Sequence, residues 1–484
     1  MSNNHVIGKQ LWELQLGSSM EVYALQQQVS NMVWNALVPE LILMFDRIAG
    51  EDEVVVLDRV IVDLGLISPG ALATDQLVNR ILRDLEDHCF RSRFLPRSRQ
   101  SGDDRGLTDT NSQPLGKYYF DLWLHWLRYG VLPPYATKPE STWMEQVLET
   151  LGITYRASEE LEEVLRNYPL ALKRLVWQHS AQDLKSLTEL FTGYKQNSLL
   201  EVLSELKHFT DEALLAATGA YRGLETTFWT EIFQWAILRR KKADSHTLLM
   251  HLSLLPWLAN AGGQESLSGK GYKLLRKLLE EYNAFPQPPR QDPGTIVNAP
   301  AEPKDEETVM DTKVEMEQQL HFFGNAGMVL LHPFLKQFFG RMQLLEENLF
   351  KDTESQSRAV LLLHFLATGQ DKVREFEMLL PKFLCGMPAN QPMDHTLVLS
   401  ELEKEAAQSL LWAVVAHWGA LGNTSPDGLR EGFLIREGKL EKSQAGWKLH
   451  VEQKAIDVLL DRLPWTLSMV KLTWMPDILR VEWR

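Results

Sequence analysis

The stretch SELEKEAAQSLLWAVVAHWGALGNTSPDGLR, residues 400–430, decides the fold class. Ser400 and Glu403 stand at the spacing of a capping box, in which two side chains satisfy backbone N–H groups at a helix start. No Gly or Pro interrupts the next eighteen residues. The pattern predicts a helix with Leu402, Ala406, Leu410, Ala413, Val414 and His417 on one face. Ser425 followed by Pro426 then pairs an N-cap with a proline at the first helical position, which starts another short helix. Helix, turn and helix again is the grammar of a mainly α chain.

Toward the C-terminus the character changes. Phe433 to Leu440 and Trp447 to Val451 predict a hairpin joined across Ser443-Gln444-Ala445-Gly446, and Val470 to Trp474 and Leu479 to Trp483 predict further strands. Trp465, Trp474 and Trp483 recur every nine residues, as core or hairpin features or as anchors for a partner surface. Upstream, Ala326 to Phe350 and Ser355 to Thr368 carry helical signals. Residues 315–484 are therefore expected as a C-terminal helical domain ending in a small β hairpin-like cap.

Residues 285–314 hold six prolines among acidic side chains and read as an extended, solvated linker. Before it, 115–284 reads as a helical middle domain. Phe120, Trp123, Leu124 and Leu127 share one face of its first helix, which stops at Tyr129-Gly130-Val131-Leu132-Pro133. Further helices are expected to begin near Thr142, Ser158, Pro169, Ser198, Thr210, Leu224, Ser245 and Gly271, without a fixed repeat. Residues 97–114 are polar, lack periodicity and read as a second linker. Residues 1–96 read as an α+β module. It has a short strand in Val6–Leu16, a helix from about Ser19 to Ile48 that Pro39 kinks, a strand in Val54–Leu64, and a helix opened by Ser68-Pro69. The expected fold is thus mainly α and multidomain, with a small α+β N-terminal module and a β-containing C-terminal cap.

The formal charge of −14 opposes binding to a phosphate backbone, so nucleic acid is not an expected partner. The run Arg239-Arg240-Lys241-Lys242 reads as a solvated helix end. Two cysteines, Cys89 and Cys385, without a CxxC pair, argue against a disulfide framework. No apolar stretch approaches the ~18 residues of a membrane span, and Met1 to Leu16 lacks the pattern of a signal peptide.

No enzyme motif survives inspection. The segment GQESLSGKG, 263–271, misses phosphate-loop spacing and has Gly271 where a magnesium-binding hydroxyl belongs. The thirteen histidines form no zinc pattern, and His364 and His417 read as satisfied core or interface histidines. Cys385 reads as a buried structural thiol, and Glu159, Glu160, Glu162 and Glu163 as charges favoured at a helix N-terminus. No catalytic residue, cofactor site or metal site is expected.

Several strings in the C-terminal block are specific: 325–335 (NAGMVLLHPFL), 358–369, 379–388 (LLPKFLCGMP), 417–430 (HWGALGNTSPDGLR), 433–440 and 463–483. In order and spacing they resemble the contractile injection system tape measure protein family. His5–Glu13 and 58–65 are similar to its start, and Gly130-Val131-Leu132-Pro133 matches in the middle. The resemblance implies a structural, non-enzymatic component of a phage-tail-like contractile particle, acting in inner-tube assembly or length control. It implies inner tube, baseplate hub or spike proteins as partners, with self-association open, no nucleic acid and no membrane. It places the protein in the cytoplasm during assembly, with retention in the finished particle open. Candidate motif and interaction residues are Asn325, Gly327, His332, Pro333, Gly369, Gly386, Pro388, His417, Trp418, Asn423, Thr424, Gly428, Arg430, Trp447, Trp465, Trp474 and Trp483. A chain with 22 Pro, 29 Gly and two linkers is not patterned as a rod. A globular assembly chaperone, cap or effector-loading adaptor of the same system therefore stands beside the extended ruler.

Overall fold

The computed structural model describes residues 5, 7, 10–15, 22–48, 50, 52–57, 60–67, 75–94, 110–134, 136, 139, 142–213, 220–238, 242–252, 272–284, 320–371, 374–394, 397–443 and 446–483. The chain divides into two compact units, Met1–Asp121 with Tyr135–Thr150, and Leu122–Pro134 with Leu151–Arg484. The helical and β-containing character expected from sequence is present. The stretches 97–109, 263–271, 285–314, Ser68-Pro69 and Arg239–Lys241 lie outside the described residues.

In the first unit, helix Val22–Met32 runs through a π turn, Val33–Leu37, into helix Val38–Ile48. Pro39 lacks the N–H that an α-helix would offer to the previous turn, and the wider π turn directly precedes it. Leu25, Val29, Met32, Leu37, Leu41 and Met44 bury one side, against Leu77, Val78 and Ile81 of helix Asp75–Phe94. Val22, read as part of that face, is exposed. Strand β1, Glu53–Leu57, pairs antiparallel with β2, Thr110–Pro114, so the stretch read as a linker ends in a strand. The strand expected through Leu64 stops at Leu57, although Val60, Val62 and Leu64 keep the alternating half-buried pattern.

In the second unit, helices Tyr155–Asn167, Pro169–Gln178, Ala181–Thr192, Asn197–Ala213, Ala220–Phe233, Ser245–Met250 and Tyr272–Ala284 follow one another. Ser158 lies inside its helix, and Thr210 lies inside Asn197–Ala213 with no break. Helix Ala181–Thr192 falls within the helical series expected over this stretch. Its capping box uses Asp183 in place of the usual Glu, with Ser180 as the cap.

The C-terminal part opens on β3, His321–Phe323, then a fully buried 3-10 turn, Ala326–Leu331, and helix His332–Arg341. The helical signal expected to reach Phe350 gives way to a small hairpin, β4 Leu345–Glu346 and β5 Leu349–Phe350. Helices Thr353–Thr368, Leu379–Leu384 and Glu401–His417 build the core. The Ser400–Glu403 capping box forms as read, but the helix it opens is rotated. Ala407, Leu411, Val414 and Val415 are buried, whereas Leu402 and Ala413 face outward. The helix is apolar on more than one side, so periodicity alone offers two faces. Trp418, fully buried at its end, marks the chosen one.

The terminal sheet has the order β3-β6-β7-β9-β8. Strands β6, Gly438–Ser443, and β7, Gly446–Val451, form a hairpin at the expected turn, but the first strand starts at Gly438 and not at Phe433, because Arg430–Leu434 winds into a π turn. Strand β9, Leu479–Glu482, runs parallel to β7, and β8, Met469–Val470, closes the edge. A parallel neighbour requires a crossover, and residues 452–478 with a 3-10 turn at Ala455–Arg462 supply it. Leu440, Leu449, Val451, Leu479 and Val481 form the buried face.

Gly327 is where the 3-10 turn meets the chain at Phe433-Leu434, and a Cβ there would overlap the Phe433 carbonyl. Gly340, in helix His332–Arg341, has open space around it. Gly327→Ala is expected to destabilise by about 1–3 kcal/mol. Gly340→Ala is expected to be neutral or stabilising by up to about 1 kcal/mol. Urea unfolding of both variants checks the contrast.

Candidate functional site

Most of the motif residues lie inside the C-terminal part. Trp418 is buried against Phe433 and Trp465, with ring centroids 4.8 and 6.3 Å away. His417 is exposed but stacks on Trp465 at an interplanar angle of 14°, and Phe334 meets both rings edge-on. Trp474 packs on Phe339 and Phe350 and donates its indole N–H to the Leu384 carbonyl at 2.8 Å. Trp483 donates to Asp457, and Trp447 packs edge-on to Phe383. Of the tryptophans spaced by nine residues, Trp474 and Trp483 are thus interior anchors of this unit, and Trp465 is half-buried against its core.

The polar motif residues hold backbone. Asn325 donates to the Glu377 carbonyl, and His332 contacts the Val329 carbonyl through Nδ1. Burial holds His332 below its ordinary range. Arg430 ties three elements through the Leu366 carbonyl, Asp427 and Gln408. Gly369, at φ 74°, ends helix Thr353–Thr368 beside that guanidinium. Gly386, at φ 66°, lies so close to the Trp474 carbonyl that a Cβ would overlap it. Thr424 donates to the Leu421 carbonyl, and the Gly428 N–H reaches Ser425 Oγ. Pro333, Pro388 and Asn423 are exposed.

The most consequential group was missed in the sequence. Arg174, on helix Pro169–Gln178, is fully buried and pairs with Glu375, 201 positions away, at 3.0 Å. Glu375 also receives Lys382 Nζ at 2.7 Å, with both side chains fully buried. Two cations thus share one carboxylate, and backbone carbonyls supply the remaining acceptors. Arg174 donates to Leu127 and Asn390. Lys382 donates to Ala389 at 3.1 Å and Gln391 at 2.7 Å. Gln178, one helical turn beyond Arg174, donates to the Met393 carbonyl. The loop 388–393 is therefore stitched to the middle helices.

Gly130 completes the arrangement. It has φ 76°, and a Cβ there would lie 2.8 Å from both the Ala389 carbonyl and the Arg174 guanidinium. Burial pushes Lys382 down to about 8, offset by the Glu375 carboxylate and reinforced by Arg174. Burial likewise lowers Arg174, against the pull of Glu375. The available signals were a lysine inside the apolar run LLPKFL and an arginine inside LALKRLVW. Charged residues are almost never fully buried unless paired. Near the terminal sheet, Arg436 bonds the Gly432 carbonyl and Asp457, whose other oxygen accepts from Trp483 and the Lys454 N–H.

Little here resembles a reaction centre. Among the described residues, no three His, Cys, Asp or Glu side chains are placed to hold a metal ion. No described helix is long and apolar enough to cross a membrane. Cys385 is fully buried, and burial pushes its thiol well up, away from the reactive thiolate. Glu162 pairs with Arg166 at 2.6 Å, and Glu160 with Arg156 at 3.2 Å, within one helix.

A family model described as contractile injection system tape measure protein matches residues 4–483. No curated protein and no solved structure matches the chain.

Glu375→Gln leaves two buried cations without their counter-charge and is expected to cost about 3–5 kcal/mol, measured by urea unfolding. A second test uses acid. Burial, with Arg128 and His321 close by, pushes His125 down to about 4. Its folded value lies below the unfolded one, so the unfolded chain binds more protons between the two. Stability is then intact above about pH 6.5 and falls as pH drops toward 4. His125→Phe is expected to flatten part of that fall.

Proposed function

Because this chain belongs to the contractile injection system tape measure protein family, we propose that it acts in inner-tube assembly or length control as a folded part, not as a thread drawn out along the tube. The buried Arg174–Glu375–Lys382 clamp carries this reading. As one continuous helix, 484 residues would reach only roughly 730 Å. Drawing the chain out would separate residues that the clamp seals together. It would also expose the single core that contains Trp418, Phe433 and Trp474. Opening such a unit costs its whole folding free energy, of order 5–15 kcal/mol for a domain.

In this proposal the partners are inner tube, baseplate hub or spike proteins. The exposed motif residues Pro333, Pro388 and Asn423 are candidate contacts, because the interior anchors are committed to the fold. Assembly takes place in the cytoplasm, and the folded part caps or chaperones a growing tube end. The proposed domain boundaries lie at 96, 114, 284 and 314.

A covalent lock tests the folded reading. With Cys89→Ser, Gln178→Cys and Asn390→Cys, a short bifunctional thiol reagent would tie the middle helix to the clamp loop. Particles assembled in vitro from the locked protein are expected to match unlocked controls in number and length by electron microscopy. Loss of particles on locking alone, restored by a cleavable reagent once cleaved, would mean that the chain must open to work.

A further inference from the structure

The N-terminal unit carries an apolar cleft that the folded-part reading does not use. Its volume is about 890 Å³, and it lies between His5, Ile7, Gln10, Trp12 and Leu14 and one side of the helix that runs from Val22 to Ile48. Val22, Gln26, Ser30, Trp34, Val38 and Ile42 mark the helical wall, a stripe reaching Phe45 and ~35 Å long at 1.5 Å per residue. Trp34 is 68% exposed, Val22 63% and Ile42 47%, so these large apolar side chains face open space.

Three observations say what fits there. First, Gln10, Trp12 and Leu14 line the cleft in alternation, the period of an extended backbone, and no backbone–backbone hydrogen bond joins residues 5, 7 or 10–15 to other described residues. An unpaired extended backbone beside an apolar groove is a template for strand addition. Second, the Trp12 indole N–H is buried beside the cleft and has no acceptor among the described residues, a place where an incoming carbonyl would satisfy it. Third, residues 5–67 hold three basic and nine acidic side chains. The cleft itself is lined almost wholly by apolar and neutral groups. The exposed carboxylates Glu13, Glu40 and Asp46, each next in sequence to a lining residue, favour a partner with basic side chains and disfavour a second copy of this chain, whose net charge is −14.

We propose that this cleft receives an extended segment of another protein, with apolar side chains alternating with Lys or Arg, that adds as a strand alongside residues 10–15. The apolar side chains would enter the groove toward Trp34 and Ile42, and the basic ones would face the acidic surround. The proposal concerns the first unit alone and stands whether or not the clamp must open during assembly.

The full-length protein can be titrated with three synthetic decapeptides: alternating Val and Lys, alternating Val and Glu, and an amphipathic Leu/Lys helix former. The Val/Lys peptide is expected to bind at least tenfold more tightly than the other two and to slow amide exchange at residues 10–15. Trp34→Asp is expected to weaken that binding at least tenfold without moving the thermal midpoint, since Trp34 is exposed. Equal binding of the Val/Glu peptide, preference for the helix former, no binding, or unchanged exchange at 10–15 would each overturn the proposal. So would a peptide-free dimer that Trp34→Asp disperses, which would assign the cleft to a second copy.

Discussion

The second unit depends on the burial of three charges. Arg174, Glu375 and Lys382 are sealed from water, and removing ions from water costs several kcal/mol apiece. A lone carboxylate between two cations would not offset that. The arrangement holds because every cationic donor named has an acceptor, and four of those acceptors are backbone carbonyls, three from the loop 388–393 and one from helix Leu115–Tyr129. This makes the group a geometric lock as well as an ion pair. Replacing it with aliphatic side chains of similar volume would strand the Leu127, Ala389, Asn390 and Gln391 carbonyls, so the usual tolerance of such exchanges does not extend to this site.

The lock explains the shape of the sequence around it. The loop 388–393 must pass close over helix Pro169–Gln178, and the chain at Gly130 must approach Ala389 within a distance that no side chain permits. Gly386 is held in the left-handed region, against the Trp474 carbonyl. The strings 130–133 and 379–388 thus meet in one place. Trp418, Trp474 and Trp483 serve as interior anchors, and the exposed Pro333, Pro388 and Asn423, with the N-terminal cleft, are the surfaces proposed for partners.

Much of the local architecture was legible in the sequence. The Ser400–Glu403 cap, the stop at Gly130, the hairpin across 443–446 and the Ser425-Pro426 start all form, because each depends on neighbours a few residues apart. The start of helix Ala181–Thr192 was less visible than the others, because its cap uses Asp183. The buried face of Glu401–His417 was misread because apolar residues run around that helix, and tertiary packing chooses among them. The clamp was illegible as a pair, since periodicity carries no information across 201 positions. Lys382 inside LLPKFL was the visible half of it. The parallel pairing of β7 with β9 was hidden for the same reason, as only the crossover fixes its direction.

The central claim is that the middle helices and the C-terminal block are one cooperative unit because of the clamp. Native-state amide exchange in increasing urea measures this directly. Peptides covering Pro169–Gln178 and Leu379–Leu384 are expected to open together, at one free energy and one urea dependence, and to separate in Glu375→Gln. Opening of 169–178 at markedly lower urea in the unaltered protein, with 379–384 still protected, would contradict the account.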